Sequence, residues 1–441
     1  MSKDFLEDGV AVDRRAFMAA VGGMGIAALA PSDGRAAPVQ TKARVVVAGG
    51  GAAGLATAAR LSRRLEGAEI IVVEPRAEHF YQPGFTLVGA GLKPAEYVTL
   101  KTADYLSSGA QWVQDRVAEF DPVANKVVTE KGTVLPYDFL VVTTGLVLDY
   151  GAVEGMERSL IGREGIASVY AGATAAAASW QALQGFMETG GVGLFGRPET
   201  EMKCAGAPIK QTFLADDHLR RAEMRSKTEV IYNAHSKTLF SVPPVNTKLL
   251  ELFERQEFKI NFSHVLTKID PAKHIATYQT PTGPVELKWD FINLIPPMRA
   301  PAAVRNSPLP WQSGKFAADG WIEVDKKSLR HQRFPNVFGV GDINGVPKGK
   351  TAASVKWQTP VAVDHVVAAI GGKEGTAVYN GYTSCPLITK IGQAMLVEFD
   401  YENRMTPSFP FIDPLTEHWL PWVIKEKVLK ATYTAMLRGL A

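Results

Sequence analysis

Two cysteines, Cys204 and Cys385, are the only thiols in a chain of 441 residues. Each sits among small, turn-prone residues: Met202-Lys203-Cys204-Ala205-Gly206-Ala207-Pro208 and Gly381-Tyr382-Thr383-Ser384-Cys385-Pro386-Leu387. They are 181 residues apart, so only the fold can pair them. Two paired cysteines can take electrons from a sulfur species when they are joined as a disulfide, and the thiolate released on reduction is the reactive form. The competing reading is two inert, buried thiols, the common fate of free cysteine.

An electron acceptor is written near the N-terminus. Arg44 to Ala48 is a short β-branched run, followed directly by Gly49-Gly50-Gly51-Ala52-Ala53-Gly54. Leu55 to Leu65 reads as a helix, and Glu69 to Val73 as a second strand ending at Glu74. In such a unit Gly49 permits the tight turn, Gly51 lets a pyrophosphate approach, and Gly54 allows the helix to pack closely. The helix start supplies free N–H groups and the positive end of its dipole. Glu74, 20 residues past Gly54, is placed for an adenosine ribose.

Two later segments favour FAD over NAD. Tyr137 to Gly145 is a strand running into a small-residue turn with Thr144 and Gly145, and Asn336 to Asp342 is a strand ending in Gly341-Asp342. Both resemble the returning segments of flavoproteins with two dinucleotide domains. The alternative for each is a plain buried strand with a glycine turn. A second strand, Gly191 to Gly196, runs into Arg197-Pro198-Glu199-Thr200-Glu201-Met202-Lys203-Cys204. Bulky and acidic side chains stand there where a nicotinamide nucleotide needs glycines, so that site is expected to be absent.

These elements imply an α/β fold of two Rossmann-like domains plus a C-terminal membrane-interface region. The divisions expected are 1–37 as a signal segment, 38–150 and 301–375 as the FAD-binding domain, 151–300 as the second domain, and 376–441 as the C-terminal region. Within 1–37, Arg14-Arg15-Ala16-Phe17, the apolar run Met18 to Ala30 and the exit at Gly34-Arg35-Ala36 read as a twin-arginine export signal. The run is shorter than the ~20 residues of a spanning helix.

The C-terminal region carries Phe409 and Phe411 between prolines, then Trp422, Leu429, Tyr433, Met436 and Leu440 at helical spacing with Lys425, Lys427, Lys430 and Arg438 among them. Such a helix, about Pro421 to Leu440, can lie in a membrane interface with the lysines on the head groups. It can equally dock on the body of the protein or join two copies of the chain as a homo-oligomer. A composition of 46% hydrophobic and 21% charged residues gives an ordinary globular core. A net charge of +3 is too small to argue for nucleic acid, no nucleic-acid partner is expected, and no metal-ligand spacing is present.

Taken together, the chain from about Ala43 to Gly439 resembles the sulfide:quinone oxidoreductases, in the branch that includes the mitochondrial enzymes. The resemblance is carried by Val73-Glu74-Pro75, His79-Phe80-Tyr81-Gln82-Pro83, Thr86 to Gly91, Lys203 to Pro208, Pro296-Pro297-Met298, Asn336 to Asp342, Lys350-Thr351-Ala352-Ala353 and Gly381 to Leu387. It implies an FAD enzyme in which Cys204 and Cys385 are the redox pair. Its implied FAD contacts are Gly49, Gly51, Ala53, Gly54, Glu74, Gln82, Val117, Thr144, Gly145, Gly341, Asp342, Lys350, Thr351, Ala352 and Ala353. It further implies sulfide and a membrane quinone as substrates, with Phe409 and Phe411 at the quinone, and a sulfane acceptor such as sulfite or a thiol.

Many branches of that family carry a third active-site cysteine, which this chain lacks. The export signal departs from the mitochondrial members and places the protein at the periplasmic face of the inner membrane. Three other readings stand beside this one: the flavoprotein subunit of a flavocytochrome c sulfide dehydrogenase, an NADH:quinone reductase, and a flavoprotein with structural cysteines.

Overall fold

The computed structural model describes residues 37–441, so the signal segment lies outside the described residues except for its last position. The first domain begins with β1 (Arg44–Ala48), α1 (Ala52–Arg64), β2 (Glu69–Val73), β3 (Ala110–Val113) and β4 (Phe139–Val142). A second domain follows with β5 (Ile166–Ala167), α2 (Ala173–Thr189), β6 (Gly191–Gly196), α3 (Ala207–Arg221), β7 (Thr228–Ala234), β8 (Lys259–Phe262) and β9 (Phe291–Asn293). The chain then returns to the first sheet as β10 (Val337–Gly339) and continues into α4 (Ala352–Ile370).

Both sheets are five-stranded, in the orders β10-β4-β1-β2-β3 and β5-β9-β6-β7-β8, with every pairing parallel. Parallel strands are covered on both faces, and their side chains read as unbroken apolar runs. Val45, Val46 and Val47 illustrate this, each fully buried. A three-stranded antiparallel sheet accompanies each parallel one.

The C-terminal region forms a hairpin, β11 (Thr383–Lys390) with β12 (Gln393–Phe399). A helical segment follows: Trp419–Val423, a π-helical turn Ile424–Val428, and Leu429–Leu437. It begins two residues before the expected start and carries a π turn that periodicity did not announce. Among the described residues no helix is long and apolar enough to cross a membrane.

The apolar face of that segment docks on the body. Tyr433, Met436 and Leu437 are buried with residues of α1 in the main core. Arg60 donates to the carbonyl of Ala441, and Arg63 to that of Gly439. This corrects the lipid-facing reading of Met436. Lys425 is corrected too: it is buried, and its ammonium donates to the Pro83 carbonyl. Lys430 lies 4.5 Å over the Tyr97 ring, and Lys427 is exposed beside Glu426.

Candidate active site

At the end of β1 the chain makes the turn that the glycines foretold. Gly49 has φ +114°, and a Cβ there would lie 2.5 Å from the Thr143 carbonyl oxygen. At Gly54 a Cβ would fall 1.7 Å from the Gly49 oxygen, so only glycine lets α1 approach. Gly51 is different: a Cβ would meet nothing within 4 Å. The chain itself therefore does not require glycine at 51, whereas a pyrophosphate laid across the helix start does.

Glu74 is buried and held in place. It accepts from the Gly50 amide at 2.9 Å and from the Arg76 amide and Nε at 3.0 and 2.8 Å. Burial alone would raise its pKa, but the Arg76 contacts outweigh this and keep the carboxyl below its usual value. Val117 packs in the core that also holds Ala48 and Val73, the residues just before Gly49 and Glu74.

At the other end of the cleft, Gly341 has φ +87° and stands against Ala53, a Cβ on it lying 3.0 Å from the Ala53 Cβ. This brings Asp342 to the start of α1. The hydroxyl of Thr144 is buried without a partner, and Gly145 has φ +66° with open space around it. Thr351 caps α4 by accepting from the Ser354 amide at 3.0 Å, which leaves the N–H groups of Ala352 and Ala353 at a positive helix end. An open glycine, an orphaned hydroxyl and two helix starts around one cleft fit a dinucleotide.

The cysteines border this cleft. The loop 197–206 occupies the place of a second phosphate cradle and carries Cys204 into the start of α3. Cys204 has φ +48°, a left-handed conformation rarely taken outside glycine, and such strain gathers at functional sites. Three bonds hold it. Its amide donates to the Lys350 carbonyl at 2.9 Å, and its own carbonyl accepts from the Ala207 amide at 2.8 Å and the Tyr170 hydroxyl at 3.0 Å.

Cys385, on β11, is buried and within hydrogen-bond reach of Cys204. Gly206 makes room for it, since a Cβ there would lie 2.5 Å from the Cys385 sulfur. The two thiols are unbonded in this state.

Two buried ammonium groups face the pair. Lys210, on α3, donates to the Cys204 sulfur at 3.7 Å. A hydrogen bond from Cys385 lowers the Cys204 pKa well below an ordinary thiol, against the effect of burial, and the charges of Lys210 and Lys425 add to the lowering. Cys385 moves the other way, raised by that same bond and by burial. Burial would lower Lys210, but the two sulfurs, Cys204 foremost, raise it. Lys425, with no carboxylate against it, is pulled down by burial and by Lys210 to about 7.

A cavity of about 260 Å³ opens onto both sulfurs, with Arg197, Glu201, His235 and Lys348 in its wall. Glu201 is paired with Lys315 at 2.7 Å.

Residues 43–180 match the family model of pyridine nucleotide-disulphide oxidoreductases. The mitochondrial sulfide:quinone oxidoreductase of Mus musculus is 36% identical over 399 residues, which is 90% of this chain and 86% of the mouse protein. The chain belongs to the sulfide:quinone oxidoreductase family. The solved sulfide:quinone oxidoreductase of Aquifex aeolicus shares its fold, with a TM-score of 0.75 at 20% identity over 90% of this chain and 92% of that one. A chain of the Tetrahymena thermophila mitochondrial ATP synthase superposes as well, with a TM-score of 0.79 at 18% identity over 92% and 98%. Fold alone therefore does not carry the activity; the site must.

As a member of this family the protein is an FAD-dependent oxidoreductase. Residues that hold the cleft but escaped the sequence reading are Arg76, Tyr170, Gly206, Lys210 and Lys425. Lys210 carried little signal: it lies six residues after Cys204 in the mixed run Pro208-Ile209-Lys210-Gln211-Thr212-Phe213-Leu214.

Lys350 has a different place from a plain cofactor contact. Its ammonium donates to the carbonyls of Asp342 and Asn344, both at 2.7 Å, and lies 3.6 Å over the Trp321 ring. It fixes the Gly341-Asp342 turn from behind. Phe409 and Phe411 meet edge to face, 5.7 Å between centroids, so no ring fits between the two; Phe411 is 73% exposed.

Proposed function

We propose that this protein oxidises sulfide at the Cys204–Cys385 pair and passes two electrons through FAD to a membrane quinone. The observation that carries this reading is the thiol pair itself, two close sulfurs with opposed pKa shifts, faced by two buried lysines beside a dinucleotide cleft. In the oxidised state the two sulfurs form a bond. Sulfide, as HS⁻, attacks the Cys385 sulfur; the S–S bond breaks and its electron pair leaves on Cys204. Cys204 is the better leaving group because its thiolate is stabilised by Lys210 and Lys425. Cys385 then carries a persulfide.

A second nucleophile, sulfite or a thiol, enters the cavity and takes the outer sulfur, leaving Cys385 as a thiolate. The pair then gives up two electrons and re-forms its bond. FAD, when bound, supplies the acceptor for those electrons and passes them to quinone, which takes two protons as it is reduced. Glu74, Gln82, Val117, Thr144, Asp342, Thr351 and the glycines Gly49, Gly51, Gly54, Gly145 and Gly341 are the residues proposed to hold it, with Ala53, Lys350, Ala352 and Ala353 alongside.

The exposed Phe411 and Trp419, with Phe409 and Trp422 nearby in sequence, are proposed to rest at the membrane surface and admit the quinone. Export by the twin-arginine route to the periplasmic face belongs to the same proposal. Steady-state assay of the FAD-loaded protein with sulfide, sulfite and a short-chain quinone tests the reading: sulfide-dependent quinone reduction is expected, and NADH in place of sulfide should give none. Turnover with NADH and none with sulfide would replace it with the NADH:quinone reductase reading.

A further inference from the structure

Lys203 precedes Cys204 directly, yet its ammonium serves neither sulfur by contact. Its Nζ donates to the Gln82 Oε1 at 2.7 Å and lies 5.7 Å from the centroid of the Tyr170 ring. The charges within its reach are those of the cofactor cleft: Asp342 and, from the Glu74 end, Arg76, with Cys204 the weakest of the three. It makes no ion pair with Asp342. Its hydrogen-bond partner is a neutral amide, so the charge is not cancelled on contact. Lys350, the other cation near Asp342, is already spent on two carbonyls and an aromatic face. The lysines at this site thus divide by placement, with Lys210 and Lys425 at the sulfurs and Lys203 in the cleft.

We propose that Lys203 is a positioning residue for the flavin compartment, a cation that favours the reduced, anionic flavin and so draws electrons from the thiol pair. Lys203 is half-buried, and a positive charge beside a bound cofactor that excludes water stabilises negative charge developing there. Burial pulls Lys203 down to about 8 while Asp342 supports its charge, so it is cationic at neutral pH. The proposal rests on FAD occupying the cleft between Glu74 and Asp342.

Anaerobic reductive titration of the FAD-loaded protein against reference dyes tests it, with Lys203→Met, Lys203→Arg and Lys210→Met compared with the wild type. Lys203→Met should shift the flavin equilibrium toward the oxidised form about tenfold, equivalent to about 30 mV for two electrons. Lys203→Arg should restore most of that. The pH profile of Cys204 alkylation should stay at the wild-type midpoint in Lys203→Met but move in Lys210→Met. An unchanged flavin potential in Lys203→Met would overturn the proposal. So would a Cys204 profile displaced as far as in Lys210→Met, or loss of FAD from Lys203→Met alone. Absence of FAD from the wild type would instead defeat the cofactor reading beneath it.

Discussion

Cys204 is poised by four separate devices: the neighbouring Cys385, a left-handed backbone, the start of α3 and two buried lysines. An opposite charge within a few ångströms typically moves a pKa by ~1–3 units. Lys210→Met should therefore raise the Cys204 midpoint by at least about one unit, read from the pH dependence of alkylation of the reduced protein; an unmoved midpoint would assign the effect to Cys385, the helix start and Lys425. Lys425 shows the opposite balance, function against stability. Its pKa is about 7 in the fold against 10.5 for an unburied lysine. Between those values the unfolded chain binds the proton that the folded one has lost, so stability rises with pH there. The penalty is complete below about 7 and vanishes above about 10.5. Lys425→Met should thus stabilise the protein at pH 7, by ~1 kcal/mol or more, with the gain fading toward pH 10. Thermal unfolding across pH checks this, and a gain that grows with pH would contradict it. At this scale Cys204, Cys385 and Glu74 were legible because their neighbours in sequence announce them. Lys425 was not, because its partners lie in other parts of the chain and a lysine on an amphipathic helix reads first as solvent- or lipid-facing.

The elements proposed to hold FAD were legible as elements because their physics is local. β1, the glycine turn and β2 fall where the residues put them, and β6 spans Gly191 to Gly196 as read. α1 starts three residues earlier than expected, at Ala52, because Gly51 serves as its cap and the small residues Ala52 to Gly54 fit beneath the turn. The geometry also sharpens what a mutation at the turn would do. Gly51 has an ordinary φ of −70° and empty space beyond its Cα. Gly51→Leu should consequently fold, keep its circular dichroism, and lose most of its FAD, because the side chain would take the pyrophosphate's place. Full flavin content in that variant would remove the pyrophosphate from this turn. The loop 197–206 was legible only as an absence, the missing cradle. What it does instead, bending Cys204 toward Cys385 under Gly206, depends on β11, nearly two hundred residues later.

At the scale of the whole molecule, the C-terminal segment joins parts that the sequence kept separate. It closes the main core with Tyr433, Met436 and Leu437, meets α1 through Arg60 and Arg63, and brings Lys425 to the thiols. Tyr433 also reaches His79 at 2.6 Å, beside the Glu74 end of the cleft. As a membrane or dimer element, two of the three roles its sequence allows, the segment would be detachable and its loss would spare the sulfide half-reaction. The packing predicts otherwise: truncation after Pro414 should lower thermal stability, weaken FAD retention and slow flavin reduction by sulfide, with quinone turnover lost besides. A truncated protein with wild-type flavin content and sulfide reactivity would restore the detachable reading. Both cysteines, acting as a pair, are proposed to feed electrons to the flavin. Rapid anaerobic mixing of the FAD-loaded protein with sulfide, followed at the flavin absorbance, tests it most directly. The wild type should bleach, while Cys204→Ser and Cys385→Ser, each with its FAD in place, should stay oxidised; bleaching of either variant at the wild-type rate would show that its cysteine is structural and that the pair is not the route.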